Sequence, residues 1–276
     1  MLKTRIITAL VLLAVLLPVL YSNNYTAFAV VATVFFGAAI WECFRLFNPK
    51  STKAPIVAVF WTAAFAWAFF GPAQPNPVFW YAISLLLWAL RFAPSLKVGL
   101  PPLDSTANTL LSVVYAVSLV GCFAAIVALF AYSPLYLLSV MAIVWAADIF
   151  AYFSGKAFGK RKLAPSISPG KSWEGAIGGG IAVLLIATLV IVFAGGALAN
   201  TFPVRVQASL GWPATYAILV LIVAASVVGD LFESQLKRRA GMKDSSNLLP
   251  GHGGVLDRID ALVPVLPLAA LIGGWL

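Results

Sequence analysis

The chain of 276 residues is 62% hydrophobic and only 10% charged, and its 18 Lys and Arg against 9 Asp and Glu leave a net charge of +9. Soluble domains are roughly 25% charged, so an ordinary soluble enzyme is excluded and a polytopic membrane protein is implied. The basic excess is spread over the ends of apolar runs, the ordinary topology signal of membrane proteins, and a nucleic-acid partner is not expected.

A spanning helix needs about 20 apolar residues. In chain order the candidates are 6 to 21, 25 to 44, 55 to 71, 78 to 94, 108 to 132, 134 to 153, 173 to 195, 214 to 232 and 256 to 276. Continuous apolar runs exclude the alternating pattern of a barrel. The expected fold class is therefore all-α, a polytopic integral membrane protein with about nine transmembrane helices. Residues 1 to 29 imitate a signal peptide, with Lys3 and Arg5, an apolar run to Leu20 and the triplet Ala27, Phe28, Ala29. Cleavage is not expected, because the triplet lies inside the second run.

Residues 1 to 132 read as an N-terminal transmembrane scaffold of about five helices joined by short turn-rich loops, among them Pro94 to Ser105. Residues 133 to 276 read as the catalytic transmembrane region, with two polar loops at 154 to 172 and 233 to 256. Lys3 and Arg5 precede span one, Arg45, Lys50 and Lys53 follow span two, and Arg91 and Lys97 end span four. Lys156, Lys160, Arg161, Lys162 and Lys171 follow span six, and Lys237 to Arg258 supply the last group. With nine spans all of these fall on one side and Arg205 on the other. The positive-inside rule then puts the N-terminus and both polar loops in the cytoplasm, as expected of a protein of the cell inner membrane. Cys43 and Cys122 lie in or at apolar spans and offer neither a disulfide framework nor a zinc spacing.

Asp148 lies about one and a half turns before the end of span six. A carboxylate at that depth costs a few kcal/mol unless it is paired, hydrated or metal-bound, and it marks a functional site by default. Tyr152 shares its helical face, and Gly155 permits a sharp exit. The stretch SPGKSWEG, Ser168 to Gly175, opens span seven. Gly170, Lys171 and Ser172 imitate the end of a phosphate-binding loop, but the earlier glycine is missing and no strand is expected before it, so it is not a Walker motif. The start of a helix still offers free N–H groups, the Ser172 hydroxyl and the Lys171 ammonium to a phosphate; the plain alternative is a helix start with Ser172 as N-cap and Glu174 in the first turn. Gly175 and Gly179 form a pair of small residues suited to close helix packing.

Span eight ends GDLFESQLKRR, where Asp230, Glu233, Ser234 and Lys237 share one face at i, i+3, i+4 and i+7. Asp257 and Asp260 are again three apart, after Gly251, Gly253 and Gly254, which allow tight turns and close backbone approach. Between them Arg238, Arg239, Lys243, Asp244 and Arg258 complete a segment able to hold polyphosphate and a hard cation together, with Asp–Arg258 or Asp–Lys237 pairing as the structural alternative. His252 is the only histidine, so it makes no zinc site, and a positional or hydrogen-bonding role is expected.

The skeleton Ser234, Leu236, Lys237, Arg238, Lys243, Asp244, Ser246, Leu249, Pro250, His252, Gly253, Gly254, Val255, Asp257, Arg258, Asp260 resembles the signature of the phosphatidate cytidylyltransferase family. Ser168 to Gly175 and Asp148 to Gly155 resemble two further blocks of it, with Gly170 where that family commonly carries Lys. The resemblance implies transfer of CMP from CTP to phosphatidate, giving CDP-diacylglycerol and pyrophosphate for phospholipid biosynthesis. It implies Mg2+, with a second cation as an option, held by Asp230 and Asp257 with Asp260 in support. Lys171, Lys237, Arg238 and Lys243 are then expected to hold phosphates. Asp148 and Lys237 count among the catalytic residues, and Ser172, Ser234, Asp244, His252 and Arg258 among those that bind substrate. CTP, phosphatidate, the bilayer and a second copy of the chain as a homodimer are the expected partners. Two other readings stay open: a CTP-using enzyme acting on another lipid alcohol or phosphate, and a secondary transporter with Asp148, Asp230 and Asp260 as a cation relay.

Overall fold

A computed structural model describes residues 2–22, 24–72, 75–193 and 195–274. The side chains of Lys3 and Arg5, and residues 23, 73, 74, 194, 275 and 276 at the expected loops and span ends, lie outside the described set. The helices run α1 (Leu2–Ser22), α2 (Tyr25–Phe47), α3 (Ala54–Phe70), α4 (Pro77–Leu87), α5 (Ala93–Val98), α6 (Thr106–Tyr132), α7 (Pro134–Phe158), α8 (Trp173–Phe193), α9 (Phe202–Arg239), α10 (Leu256–Ile259) and α11 (Leu262–Gly273). Among the described residues, six helices are long and apolar enough to cross a membrane, one of them running Pro77–Val98; Leu13–Ser22, Ala54–Phe70 and Leu262–Gly273 are apolar but shorter. The all-α polytopic architecture is as expected. Several starts carry the caps that their sequences supply: Asn24, Asn76, Ser105 and Ser133 each accept a hydrogen bond from a backbone N–H in the following turn.

Four boundaries differ from expectation, each for a local reason. The segment after span four does not turn to loop at Pro94. A π-helical turn over Trp88–Phe92 widens the backbone, and the helix continues to Val98 before Gly99 ends it at φ 90°. Pro94 lacks an N–H and would crowd the carbonyl four residues back, and the wider turn relieves that conflict. Span six does not exit at Gly155 but continues to Phe158; Gly155 instead permits close approach, since a Cβ there would lie 3.1 Å from the Ser172 hydroxyl. The expected eighth span is the middle of the 38-residue α9, which is kinked at Gly211 (φ 75°) ahead of Pro213. The expected ninth span is split, with α10 outside the apolar helix and a corner at Asp260 and Ala261.

The loop expected at 154 to 172 holds a two-stranded antiparallel hairpin, β1 (Lys162–Ala164) and β2 (Ser168–Ser172). Its base is tied to α8 by Glu174, whose carboxylate accepts from the backbone N–H of Lys160 and Arg161, both at 3.1 Å, and from Arg161 Nε at 3.0 Å. Helices α7 and α8 pack closely through small residues: a Cβ on Gly175 would lie 2.8 Å from the Ala151 carbonyl, and one on Gly179 would meet Ala147. An aromatic cluster of Trp88, Phe92, Tyr115 and Phe232 is buried beneath α9, with Phe232 centred 4.8 Å from Phe92 and 5.1 Å from Tyr115. Phe232 lies opposite Asp230 and Ser234 on the helical wheel, so burying it turns the polar face of α9 outward from that cluster.

Candidate active site

Asp230, Lys171 and Ser172 meet Asp148 around a cavity of about 530 Å³ bounded by α7, β2, α8 and α9. Three sequence blocks that are far apart in the chain thus share one wall. The Lys171 ammonium is ion-paired with Asp230 Oδ2, with side-chain exposures of 28% and 26%, so the pair is reachable from the cavity. Ser234 donates to Asp230 Oδ1 at 3.3 Å, one turn along the same face. Ser172 ends β2 and caps α8, its hydroxyl accepting from Gly175 N at 3.1 Å. The plain helix-start reading of that residue is therefore realised, with Lys171 beside it. Contrary to expectation a strand, β1, precedes the Gly-Lys segment, and the segment itself lies in the extended strand β2 of that hairpin.

Two turns farther along α9, Lys237 Nζ donates to Asp257 Oδ1 at 2.6 Å and lies 3.4 Å from Glu233 Oε2. Asp257 Oδ2 accepts from Ser245 N at 2.8 Å, Ser245 Oγ at 2.9 Å and Gly254 N at 2.7 Å. Burial by itself would raise this carboxyl. The Lys237 ammonium and the two N–H donors outweigh burial and hold it below the usual carboxylate range. Asp260 accepts from Ala261 N at 2.8 Å and lies within electrostatic reach of Asp230 and Glu233. Gly229, whose Cβ would strike Pro264, lets α11 approach α9 closely enough for that.

Of the expected pairings Asp257 with Lys237 is present, while Asp230 pairs with Lys171, a partner the sequence did not suggest, and Arg258 forms no ion pair among the described residues. Among the described residues no group of three or more His, Cys, Asp or Glu side chains is arranged to hold a metal ion alone. The donor set nevertheless suits a hard cation that shares its ligands with a nucleotide, because Mg2+ takes one or two carboxylates and completes its shell with phosphate oxygens and water. Both oxygens of Glu233 are buried without a hydrogen bond, and Oε2 lies within ion-pair range of the Lys237 ammonium at 3.4 Å.

The remaining predicted residues are distributed unevenly. Arg238 Nε donates to Ile167 O at 3.5 Å, tying α9 to the hairpin. Lys243, Asp244 and Arg258 are exposed around the Gly-rich loop, and His252 is half-buried with its Nδ1 unbonded. Gly251 and Gly253 adopt φ of 76° and 85°, which accounts for two of the three glycines as turn residues.

One residue escaped the sequence reading. Glu42 of α2 is fully buried and its carboxylate accepts from the Ser245 and Ser246 hydroxyls and from Val255 N and Leu256 N. Gly254 is required here, since a Cβ would run into that carboxylate. Arg45 adds a bond to Ser245 O at 3.0 Å, and Thr8 one to Pro250 O at 2.8 Å. The first helices therefore reach into the site. An ionisable residue inside an apolar run was the available signal for Glu42, the same signal that singled out Asp148.

The chain is 38% identical to the phosphatidate cytidylyltransferase of Haemophilus influenzae over 97% of this chain and 96% of that protein. It is 51% identical to the phosphatidate cytidylyltransferase of Pseudomonas aeruginosa over 50% of this chain and 48% of that protein. Against that of Bacillus subtilis it is 40% identical over 49% of this chain and 46% of that protein. The model of the cytidylyltransferase family matches residues 3–275, and the chain belongs to that family.

Proposed function

We propose that the protein is a phosphatidate cytidylyltransferase, joining CTP and phosphatidate to give CDP-diacylglycerol and pyrophosphate. The observation that carries this reading is the cavity in which Asp148, Lys171, Ser172 and Asp230 converge, in a chain whose near-full-length relative bears that name. Exposed Tyr152 lines the cavity, and exposed Phe153 and Trp173 next to its lining residues in the chain add apolar surface for a lipid substrate, while the charged loops lie at the same end of the bundle. That end is assigned to the cytoplasm of the inner membrane, where CTP is available, by the basic residues gathered there. Arg205, the dissenting charge, lines a separate recess with Tyr136 and Gly273. The reading excludes nucleic acid, because the basic residues follow the helix ends and the site.

The lipid phosphate is already an ionised nucleophile, so its attack on the α-phosphorus of CTP requires charge control more than a general base. Mg2+ would supply neutralisation of the two polyanions, held by Asp230 with Asp260; Asp257, expected as a primary ligand, has both oxygens engaged by Lys237, Ser245 and Gly254. Lys171 exchanges its Asp230 partner for a substrate phosphate, while Ser172, whose hydroxyl caps α8 at Gly175 N, holds the start of that helix beside it. Lys237 is held by Asp257 and Glu233, and its ammonium would offset the negative charge that accumulates on pyrophosphate as the bond to the α-phosphorus breaks. Incubation of the purified protein with labelled CTP, Mg2+ and phosphatidate tests the reading, and CDP-diacylglycerol is the expected product. Turnover with an isoprenoid alcohol or phosphate but none with phosphatidate would replace phosphatidate by another lipid.

A further inference from the structure

Glu42 takes no part in the chemistry described above, yet it is the most heavily bonded buried carboxylate of the N-terminal half. Oε1 accepts from the Ser246 hydroxyl and from Val255 N at 3.0 Å; Oε2 accepts from Leu256 N at 2.7 Å and the Ser245 hydroxyl at 3.2 Å. These four donors lie on both flanks of the Gly-rich turn. Ser245 and Ser246 enter it, and Val255 and Leu256 leave it at the start of α10. A single side chain from α2 thereby clamps the two ends of the loop together. Two observations connect the clamp to the chemistry. Ser245 Oγ lies 2.9 Å from Asp257 Oδ2 as well, so one hydroxyl stands between the two carboxylates. Gly254, whose N–H also binds Asp257 Oδ2, has no room for a Cβ because of Glu42.

We propose that Glu42 is a positioning residue for the reaction: by fixing Ser245 and the start of α10 it sets the Asp257 carboxylate, and through Asp257 the Lys237 ammonium. The inference rests on the cytidylyltransferase reading. It concerns how the reacting groups are aimed and places no substrate on Glu42. An amide at this position keeps the volume but turns an N–H donor toward the backbone N–H of Val255 or Leu256, two donors face to face.

The test compares full-length wild type, Glu42→Gln, Ser245→Ala and the double variant, purified in detergent and matched by size exclusion and melting temperature. Rates are measured against CTP at saturating phosphatidate and Mg2+. Charge-assisted bonds of this kind lead us to expect kcat about 10- to 100-fold lower for Glu42→Gln, with KM for CTP within about threefold of wild type. Ser245→Ala should lose less, and the double variant should be no slower than about the worse single one, because both changes act on the same Asp257 oxygen. Wild-type kcat in both single variants, a loss confined to KM for CTP, or losses that simply multiply would overturn the proposal. If Glu42→Gln does not fold, Ser245→Ala decides by its own kcat, since it deletes only one hydroxyl. A wild type that makes no CDP-diacylglycerol overturns the underlying reading and the inference with it. An active wild type beside unaltered variants overturns the inference alone.

Discussion

Lys171 and Asp230 form a pair that is only partly buried, and that partial exposure decides what each removal should do. A solvent-reachable ion pair contributes little to stability, so Lys171→Ala should leave the fold intact. It removes a charge-assisted contact of about 1.5–3 kcal/mol, and the apparent constant for CTP should rise about tenfold to a hundredfold. Initial rates against CTP at saturating phosphatidate measure this; a change confined to the phosphatidate dependence would move Lys171 to the lipid headgroup, and no change would leave it with the capping role of its neighbour. Asp230→Asn and Asp257→Asn should both abolish turnover while the protein remains folded in the membrane. Their reasons differ. Asp230 faces the cavity where a cation and phosphates would meet, whereas Asp257 organises Lys237, Ser245 and Gly254. Near-normal turnover in Asp230→Asn would falsify the metal assignment, and in Asp257→Asn the role of that carboxylate in holding Lys237.

Among the elements, the Gly-rich loop and the α7–α8 pair respond in opposite ways to added atoms. Gly253 has φ of 85° and its Cβ would press on Asp257 Oδ2. A side chain in the left-handed region costs about 1–2 kcal/mol. Gly253→Ala should therefore reduce activity by more than its melting temperature suggests, because the strain is placed directly on a site carboxylate. Gly179 packs on Ala147 and Ala151 away from the charged groups. Overpacking there costs about 1–3 kcal/mol, and Gly179→Leu should lower the melting temperature in detergent while the KM for CTP of the surviving protein is unchanged. A variant of Gly179 with wild-type stability would show that the helices do not need that close approach.

At the scale of the whole molecule, Arg45, Lys171, Arg238 and Arg239 converge on one end of the bundle through bonds to Ser245, Asp230, Ile167 and Pro101. Single cysteines introduced at Ser166 and Asn247, both exposed at that end, should label from the cytoplasm, and one at Ser209 from the opposite side. Asn247 is a better reporter than Ser245, which is buried between Glu42 and Asp257. Labelling of Ser166 and Asn247 from opposite sides would break the single-site arrangement.

The hydropathy of the chain determined its class, because in lipid the backbone must satisfy itself and long apolar runs have only the helix open to them. The blocks around Asp148, Lys171 and Asp230 were legible for a related reason: charge inside or beside such runs is costly and persists where it has a task. The pairing of those charges was decided only by tertiary structure. Asp230 and Lys171 are 59 residues apart, and they meet because the hairpin folds against α9, where Arg238 Nε also reaches Ile167 O. The corner at Asp260, the π-helical turn before Pro94 and the hairpin at 162–172 likewise arise from local geometric conflicts and from partners brought in by packing. Glu42 is the clearest case, a lone acid in an apolar helix that acquires its meaning from Ser245, Ser246, Val255 and Leu256, more than 200 residues away along the chain. Hydropathy depends on a residue and its near neighbours, whereas the satisfaction of a buried carboxylate depends on whichever donors the fold carries to it.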